Sequence, residues 1–330
     1  MGIGVAHETK TTQYCGLIFM LNRYTALRYD EVYSFTILKA SSFTMATPSR
    51  ARHLPYAYPE HLRMDVQKAP AAPGVYLFFG EYGRVPLYIG KSVNLRARLN
   101  SHLRNRDEAR LLHQARRITF IRTAGEISAL LLEARLIKER QPLFNRRLRR
   151  QGSLSSILVD DNSNVSIVPS KQVLYGRDPR VHGLFRHQKK ARDLLLALAD
   201  EHRLCLGVMG LDPLVRDRGC FRASIGKCGG ACRGQESIDA HRERLLTALA
   251  HHHVALWPHD GPVALCEHHD ELVCVHVLDH WHYMGSFASI EDARRGPWQG
   301  DERFDADIYK ITVKPLLSAD ADIVAVQRPQ

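Results

Sequence analysis

Two tyrosines, a lysine, an arginine, a histidine and a glutamate follow one another in an order suited to phosphate chemistry. Tyr76 ends Gly74-Val75-Tyr76, and Tyr88 opens Tyr88-Ile89-Gly90-Lys91. The two tyrosines are an even number of positions apart, so a hairpin without a bulge sets them on one face. Gly90 would let the backbone approach a ligand closely. Arg98 and His102 are four apart and share a face of the helix that follows. Glu133 has Ala129, Leu130, Leu136 and Ile137 at helical spacing, all of them apolar. A carboxylate on such a face costs free energy unless a cation pairs with it. That cation is either Arg98 or Lys91 in a structural ion pair, or a divalent metal with oxygen ligands. A phenol with an unperturbed pKa of ~10 needs a nearby cation to act as a base. Lys91 or the metal would supply it.

A second cluster is made of thiols. Cys205, Cys220, Cys228 and Cys232 are separated by fourteen, seven and three residues. Four thiolates in so short a span bind zinc or an iron–sulfur cluster. No pair has the spacing of a zinc knuckle, and four ordinary, partly buried thiols are the plain alternative. The total of 7 cysteines is odd. With no signal-peptide layout, that argues against a disulfide framework. The 18 histidines, with His251-His252-His253 and Glu267-His268-His269-Asp270 as the densest runs, read as solvated.

Local sequence patterns place these groups on regular elements. "APAAPGVYLFF" and "LYIG" read as two strands around a Gly/Pro loop, "NLRARLNSHL" (94–103) as a helix, and "RITFIRTA" (117–124) as a strand. Residues 123–142 read as a helix, with Thr123 and Glu126 as its capping box and Pro142 as its stop. Further on, "ILVDDNSNVSIVPS" (157–170) suggests a hairpin, while 188–205 and 237–253 read as helices into and out of the cysteines. The short alternating runs "PVALCEHH", "LVCVHVL" and "IYKITVKPLL" imply a β-rich end.

The fold class is α+β. The expected order is an extension over 1–60, with Met45 as a candidate start, a small α/β domain over 64–150, a cysteine-bearing middle region over 151–253, and a β-rich part over 254–330. The net charge of +11 favours a polyanionic partner, nucleic acid first. The run 135–151 holds seven Arg and Lys. Within it Arg135, Lys138, Arg146, Arg147, Arg149 and Arg150 are the candidate DNA-binding residues. No apolar run reaches the ~18 residues of a membrane span. The expectation is a cytoplasmic, monomeric protein.

Gly74-Val75-Tyr76, Tyr88-Ile89-Gly90-Lys91, Arg98, Glu133 and Asn145, in that order, resemble the GIY-YIG nuclease domain. The resemblance implies a three-stranded antiparallel sheet with helices and metal-dependent hydrolysis of phosphodiester bonds. It makes Glu133 the ligand of a divalent ion, Mg²⁺ or Mn²⁺. Tyr76 becomes the favoured base, Tyr88 orients water or phosphate, and Arg98 offsets charge in the transition state. His102 takes a proton-relay or phosphate role, and Asn145 ties the helix end to the site. "GEISALLLEARLIKERQPLFNRRLR" (125–149), "GLF" (183–185) and the cysteine order are similar to the amino-terminal half of the UvrC family. There the cysteines are associated with a [4Fe–4S] cluster. The rest of UvrC, with its UvrB-binding segment and second nuclease, is not visible after 254. The layout over 55–330 resembles the shorter Cho branch of that family. That implies nucleotide excision repair, with an incision 3′ to bulky damage on double-stranded DNA preloaded with UvrB by UvrA. It also implies docking of UvrB within 150–330 and expression in the SOS response. The rival readings are a stand-alone GIY-YIG endonuclease and a non-catalytic DNA- or UvrB-binding module.

Overall fold

The computed structural model describes residues 56–81, 83–145, 154–214, 218–298, 300 and 303–328. Most of the extension expected over 1–60, with Met45, lies outside them, as do Arg146, Arg147, Arg149 and Arg150. The chain divides into two compact units. The first is 1–149 with 266–276 and 286–297; the second is 150–265 with 277–285 and 298–330.

The first unit is built on an antiparallel sheet of β1 (Gly74–Phe79), β2 (Tyr88–Ser92) and β3 (Arg117–Arg122), in the order β2-β1-β3. Both faces of the central strand are covered, which is why "GVYLFF" is apolar throughout instead of alternating. Val75, Leu77 and Ile89 face α4 (Glu126–Arg140) and pack on Ala129, Leu132, Leu136 and Ile137. Tyr76 and Phe78 face the other way. They pack on Leu95, Leu99 and Leu103 of α2 (Leu95–Arg104), with α1 (Arg63–Lys68) and α3 (Ala109–Gln114) closing that layer. α1 and α3 have six residues each. That is too short for either to show a helical period in the sequence.

The two long helices of this unit begin differently. Asn94 caps α2 in the ordinary way, its side chain accepting from the Ala97 N–H at 3.0 Å. The capping box expected at the start of α4 does not form. Gly125 is the N-cap residue and has no side chain to offer. Thr123 instead donates to its neighbour Gly125 C=O at 2.9 Å, and Glu126 turns to Lys91. The far end of α4 stops as expected: Gln141 takes a left-handed conformation (φ 48°) and Pro142 follows.

In the second unit β4 (Ser155–Val159), β5 (Val165–Pro169) and β6 (Val181–Phe185) form a sheet in the order β5-β4-β6. The hairpin expected between the first two is present, turned by Asp160, whose Oδ1 accepts from the N–H groups of Asn162 and Asn164. α5 (Gln188–His202) packs on it through Ala191, Leu195 and Ala199. The one-turn α6 (Phe221–Ser224) follows Cys220, and α7 (Ile238–Leu249) contributes Leu245 and Leu249 to the core of α5.

A third sheet has the order β10-β7-β8-β9, from β7 (Val263–His269), β8 (Leu272–Asp279), β9 (His282–Phe287) and β10 (Ile323–Ala325). The β-rich end also holds α8 (Ile290–Arg295) and α9 (Ala306–Leu316). "IYKITVKPLL", expected as a strand, is α9. Its β-branched residues suggest a strand, but Ala306, Tyr309, Thr312 and Leu316 recur every three or four residues and are the buried ones. The Asp305 side chain caps it by accepting from the Asp307 N–H.

Candidate active site

Tyr76 lies opposite Gly90, and Phe78 opposite Tyr88. The two tyrosines are therefore on one face of the hairpin, as their spacing implies, with ring centroids 6.2 Å apart. Gly90 has a different reason from the expected one. A Cβ there would overlap the Tyr76 hydroxyl, so the missing side chain makes room for the phenol, not for a ligand.

Tyr76 is 1% exposed. Its hydroxyl donates to His102 Nε2 at 2.6 Å, and His102 Nδ1 bonds the Glu108 carboxylate. Asn105 holds the other oxygen of Glu108 at 3.0 Å. With Nδ1–H pointed at a carboxylate, Nε2 is left as an acceptor, so the hydrogen bonds assign the tautomer. Arg98, exposed on the same helix face as His102, points its Nε at the Tyr76 oxygen at 3.4 Å. The arrangement is a phenol, an imidazole and a carboxylate in series, with a guanidinium at the open end.

The electrostatics favour this order. Burial pushes the Tyr76 phenol well above its ordinary value, Tyr88 adds to the shift, and Arg98 only partly opposes it. Tyr88 is raised for the same first reason, with the charge of Glu133 next. Burial is the largest influence on Glu108 and would raise it, but the bond and charge of His102, the Asn105 bond and the charge of Arg98 together hold it below the usual carboxylate range. The cation beside Tyr76 is Arg98 rather than Lys91. Lys91 stands an odd number of positions from Tyr88, on the opposite face, where it ion-pairs with Glu126.

Glu133 sits where its charge raises both tyrosines. Its own carboxyl is raised, first by burial; the attraction of Lys91 and a bond from the Lys91 backbone only partly oppose this. The group is thus short of positive charge, which is the property a divalent cation would correct. Asn145 ties the chain beyond α4 to β2: its Oδ1 accepts from Ile89 N–H at 2.9 Å and its Nδ2 donates to Ile89 C=O at 2.7 Å.

Of the residues singled out in the sequence, Tyr76, Tyr88, Arg98 and His102 come together on one sheet face. Lys91 and Glu133 lie around the free edge of β2, and Asn145 braces that edge. Arg135 pairs with Glu139 one turn along α4, and Lys138 is part-exposed on the same helix. Glu108 was not foreseen. It lies beyond the end of α2, so no helical spacing links it to His102. Glu126 and Glu267 were also missed. Glu267 was expected to be solvated with its histidine neighbours, yet its side chain is 11% exposed. β7 carries it inward, to accept from Ile127 N–H and Ser128 N–H at 2.8 and 2.6 Å.

In the second unit the four cysteine sulfurs lie within 4.8 Å of one another. Cys205–Cys220 and Cys220–Cys232 are 3.8 and 3.6 Å apart. The thiols are free, and backbone N–H groups of Val208, Cys220 and Gly230 point at the sulfurs of Cys205, Cys232 and Cys228. Such donors favour thiolate, the form that binds metal, though burial outweighs them at Cys205 and Cys228, whose thiols are raised. Four sulfurs at ~2.3 Å from one tetrahedral ion stand about 3.8 Å apart, close to the spacing of Cys205–Cys220 and Cys220–Cys232. In a cubane each thiolate bonds a different iron, and the cage would have to widen.

The chain matches three family models in succession. They are the UvrC-like GIY-YIG domain over 72–146, the UvrC/Cho excinuclease middle domain over 157–251, and the excinuclease Cho C-terminal domain over 262–330. It is 49% identical over 271 residues to the excinuclease cho of Escherichia coli K12, covering 81% of this chain and 90% of that protein. The chain belongs to the excinuclease Cho family. Excinuclease cho of Salmonella typhi is 47% identical over 82% of this chain. UvrABC system protein C of Synechococcus elongatus is 32% identical over 57% of this chain, but over only 30% of its own length. Among solved structures, the GIY-YIG amino-terminal endonuclease domain of UvrC from Thermotoga maritima, bound to its catalytic magnesium, is 38% identical over 25% of this chain, with a TM-score of 0.24. As a Cho-family chain, this is a UvrC-like endonuclease of nucleotide excision repair. No helix among the described residues is long and apolar enough to cross a membrane.

Proposed function

We propose that this chain cuts the damaged DNA strand on the 3′ side of a bulky lesion, on UvrB-loaded duplex, by hydrolysis at the Tyr76–His102–Glu108 series. The observation that carries the reading is this series ending at Arg98, with Glu133 near enough for its charge to act on Tyr76 and Tyr88. A phenol raised by burial does not ionise unaided near neutral pH. Here its proton has somewhere to go. As water attacks phosphorus, the water proton passes to the Tyr76 oxygen and the Tyr76 proton passes to His102 Nε2. Glu108 stabilises the imidazolium that forms and keeps Nε2 aimed at the phenol. The bond to the 3′ oxygen breaks, and that oxygen takes a proton from solvent. Arg98 offsets the extra charge on the phosphate, and Tyr88 orients the water. Glu133 is the residue that would hold Mg²⁺ or Mn²⁺; when bound, the ion polarises the phosphate and shares the charge of the leaving oxygen.

Arg135 and Lys138, with the arginines at 146, 147, 149 and 150, carry the charge to track phosphates. Cys205, Cys220, Cys228 and Cys232 hold a metal centre. The sulfur separations favour one zinc-sized ion, whereas the UvrC resemblance implies a [4Fe–4S] cluster. Iron and zinc content of anaerobically purified chain, with its visible absorbance, decides between them. Partners in this reading are UvrB, docked within 150–330, and UvrA upstream, acting on a monomer in the cytoplasm.

The test is nicking of a 3′-labelled duplex with one bulky adduct, in the presence of UvrA, UvrB, ATP and Mg²⁺. A single 3′-side cut that needs UvrB and is lost in Glu133→Ala is expected. Cutting of undamaged DNA, or without UvrB, would favour a stand-alone endonuclease. No cut by a folded chain would favour a binding module.

A further inference from the structure

The first turn of α4 presents N–H groups that need acceptors, as every helix start does. Gly125 supplies none. The acceptor is a carboxylate more than a hundred residues away in the chain. Glu267 Oε1 takes the Ile127 N–H, and Oε2 takes both the Ser128 N–H and, at 2.5 Å, the Ser128 hydroxyl. A negative group here also meets the positive end of the helix dipole.

Glu267 is itself held in place. His276, 1% exposed, reaches the Ser128 Oγ with Nε2 at 2.8 Å and lies 3.6 Å from Glu267 Oε2. Its Nδ1 is 2.7 Å from the Ser286 hydroxyl. One assignment satisfies the whole series: Ser286 donates to His276 Nδ1, His276 Nε2–H donates to Ser128, and Ser128 donates to Glu267. Two further ties converge on the same junction between β3 and α4. Arg122 forks to Asp270 and Glu271 at 2.9 and 3.1 Å, and Ala124 packs on Leu272 and Cys274. Residues 266–276 and 286–297 belong to the same compact unit as the sheet and α4.

We propose that Glu267 is a positioning residue of the nuclease site. By capping α4 it fixes the helix that carries Glu133, so the carboxyl-terminal segment sets the affinity of the site for its divalent ion. This rests on the reading of Glu133 as the metal ligand. The geometry explains why position 125 is glycine. Its φ is 176°, ordinary extended backbone that any residue adopts. What forbids a side chain is the Glu267 carboxylate, which a Cβ would overlap. A capping side chain at position 125 and the Glu267 carboxylate are therefore alternatives: a local cap or a remote one, but not both.

That gives a reciprocal test on the full-length chain. The variants are Glu267→Ala, Glu267→Gln, Gly125→Ser and the double Gly125→Ser/Glu267→Ala. The readouts are amide hydrogen exchange of Ile127 and Ser128, Mn²⁺ binding by calorimetry, and the Mn²⁺ dependence of nicking. Loss of a cap shifts the opening equilibrium of the first turn by about tenfold. Glu267→Ala should therefore raise exchange there about tenfold and weaken Mn²⁺ binding, with the nicking rate regained at high Mn²⁺. Glu267→Gln, which keeps the shape but turns an N–H₂ group toward donors, should do the same in a folded chain. Gly125→Ser alone should be harmful, because its side chain meets the carboxylate. In the double variant the serine caps the helix locally, and exchange and Mn²⁺ affinity should return toward the parent.

Unchanged exchange and Mn²⁺ affinity in Glu267→Gln would overturn the proposal. So would a double variant no better than Glu267→Ala. If Glu133→Ala left Mn²⁺ binding intact, the metal reading of the site would fall instead, while the exchange result would still report on the cap.

Discussion

α2 and α4 bear the two halves of the site and are held by opposite means. α2 carries Arg98 and His102 and begins with its own cap, Asn94. α4 carries Glu133, begins on a glycine, and takes its cap from Glu267 on β7. The side chains in series with His102 all come from one stretch of chain, 76–108: Tyr76 and Glu108, with Asn105 holding Glu108. The proton-transfer half of the site is therefore a local construction, and the metal-holding half depends on a distant one. Damage to the carboxyl-terminal segment should reach the second and spare the first.

The largest effect should come at Glu133. Glu133→Gln should abolish nicking and yet stabilise the metal-free fold at neutral pH. Burial raises this carboxyl in the folded chain, so its ionisation works against the fold as pH rises through that raised value. The stabilisation should vanish in acid, where the native group is protonated too; thermal unfolding at two pH values measures it. Metal competes with the proton for the same oxygens, so higher Mg²⁺ should move the acid limb of the pH–rate profile downward.

Next come His102→Gln and Glu108→Gln, on the α2 side. Loss of a positioned proton acceptor should cost about 10²–10⁴-fold in the single-turnover rate. Mn²⁺ affinity should be untouched, and that contrast with Glu267→Gln is where the comparison is sharpest. If Glu108→Gln weakened Mn²⁺ binding, the two halves would not be separable.

Smaller still, Asn94→Ala should cost about 1 kcal/mol of stability, as loss of an N-cap does. It should open the first turn of α2 to exchange and leave that of α4 protected. Smallest, Arg122→Ala removes part-exposed ion pairs worth at most about 1 kcal/mol. A large loss of nicking there would mean that the ion pairs, not the cap, locate α4.

What the sequence revealed follows the same division. The hairpin, α2, β3 and α4 were legible because their periods and breakers lie within a few residues. The group of Tyr76, Tyr88, Arg98 and His102 was legible because strand and helix spacing fix which side chains share a face. Glu108 escaped because it lies past a helix end, where period says nothing. Glu267 escaped because a carboxylate amid histidines reads as solvated unless the register of its strand is known. The start of α4 was misassigned for a related reason. Thr123 and Glu126 have capping-box spacing, but Gly125 becomes the N-cap once a better acceptor arrives from β7. "IYKITVKPLL" misled by composition, since β-branched residues take a helix when its buried stripe demands them.

Asn145 has a further consequence. β2 is an edge strand, and Ile89 turns both its N–H and its C=O outward, where a strand from another molecule could zip on. Asn145 occupies both with one amide, one residue after Phe144 N–H has taken the C=O of Leu87. The side chain thus impersonates a neighbouring strand for a single residue and blocks this edge of the sheet at Ile89. In Asn145→Ala that edge would be open, and concentration-dependent self-association by light scattering should appear alongside any loss of nicking.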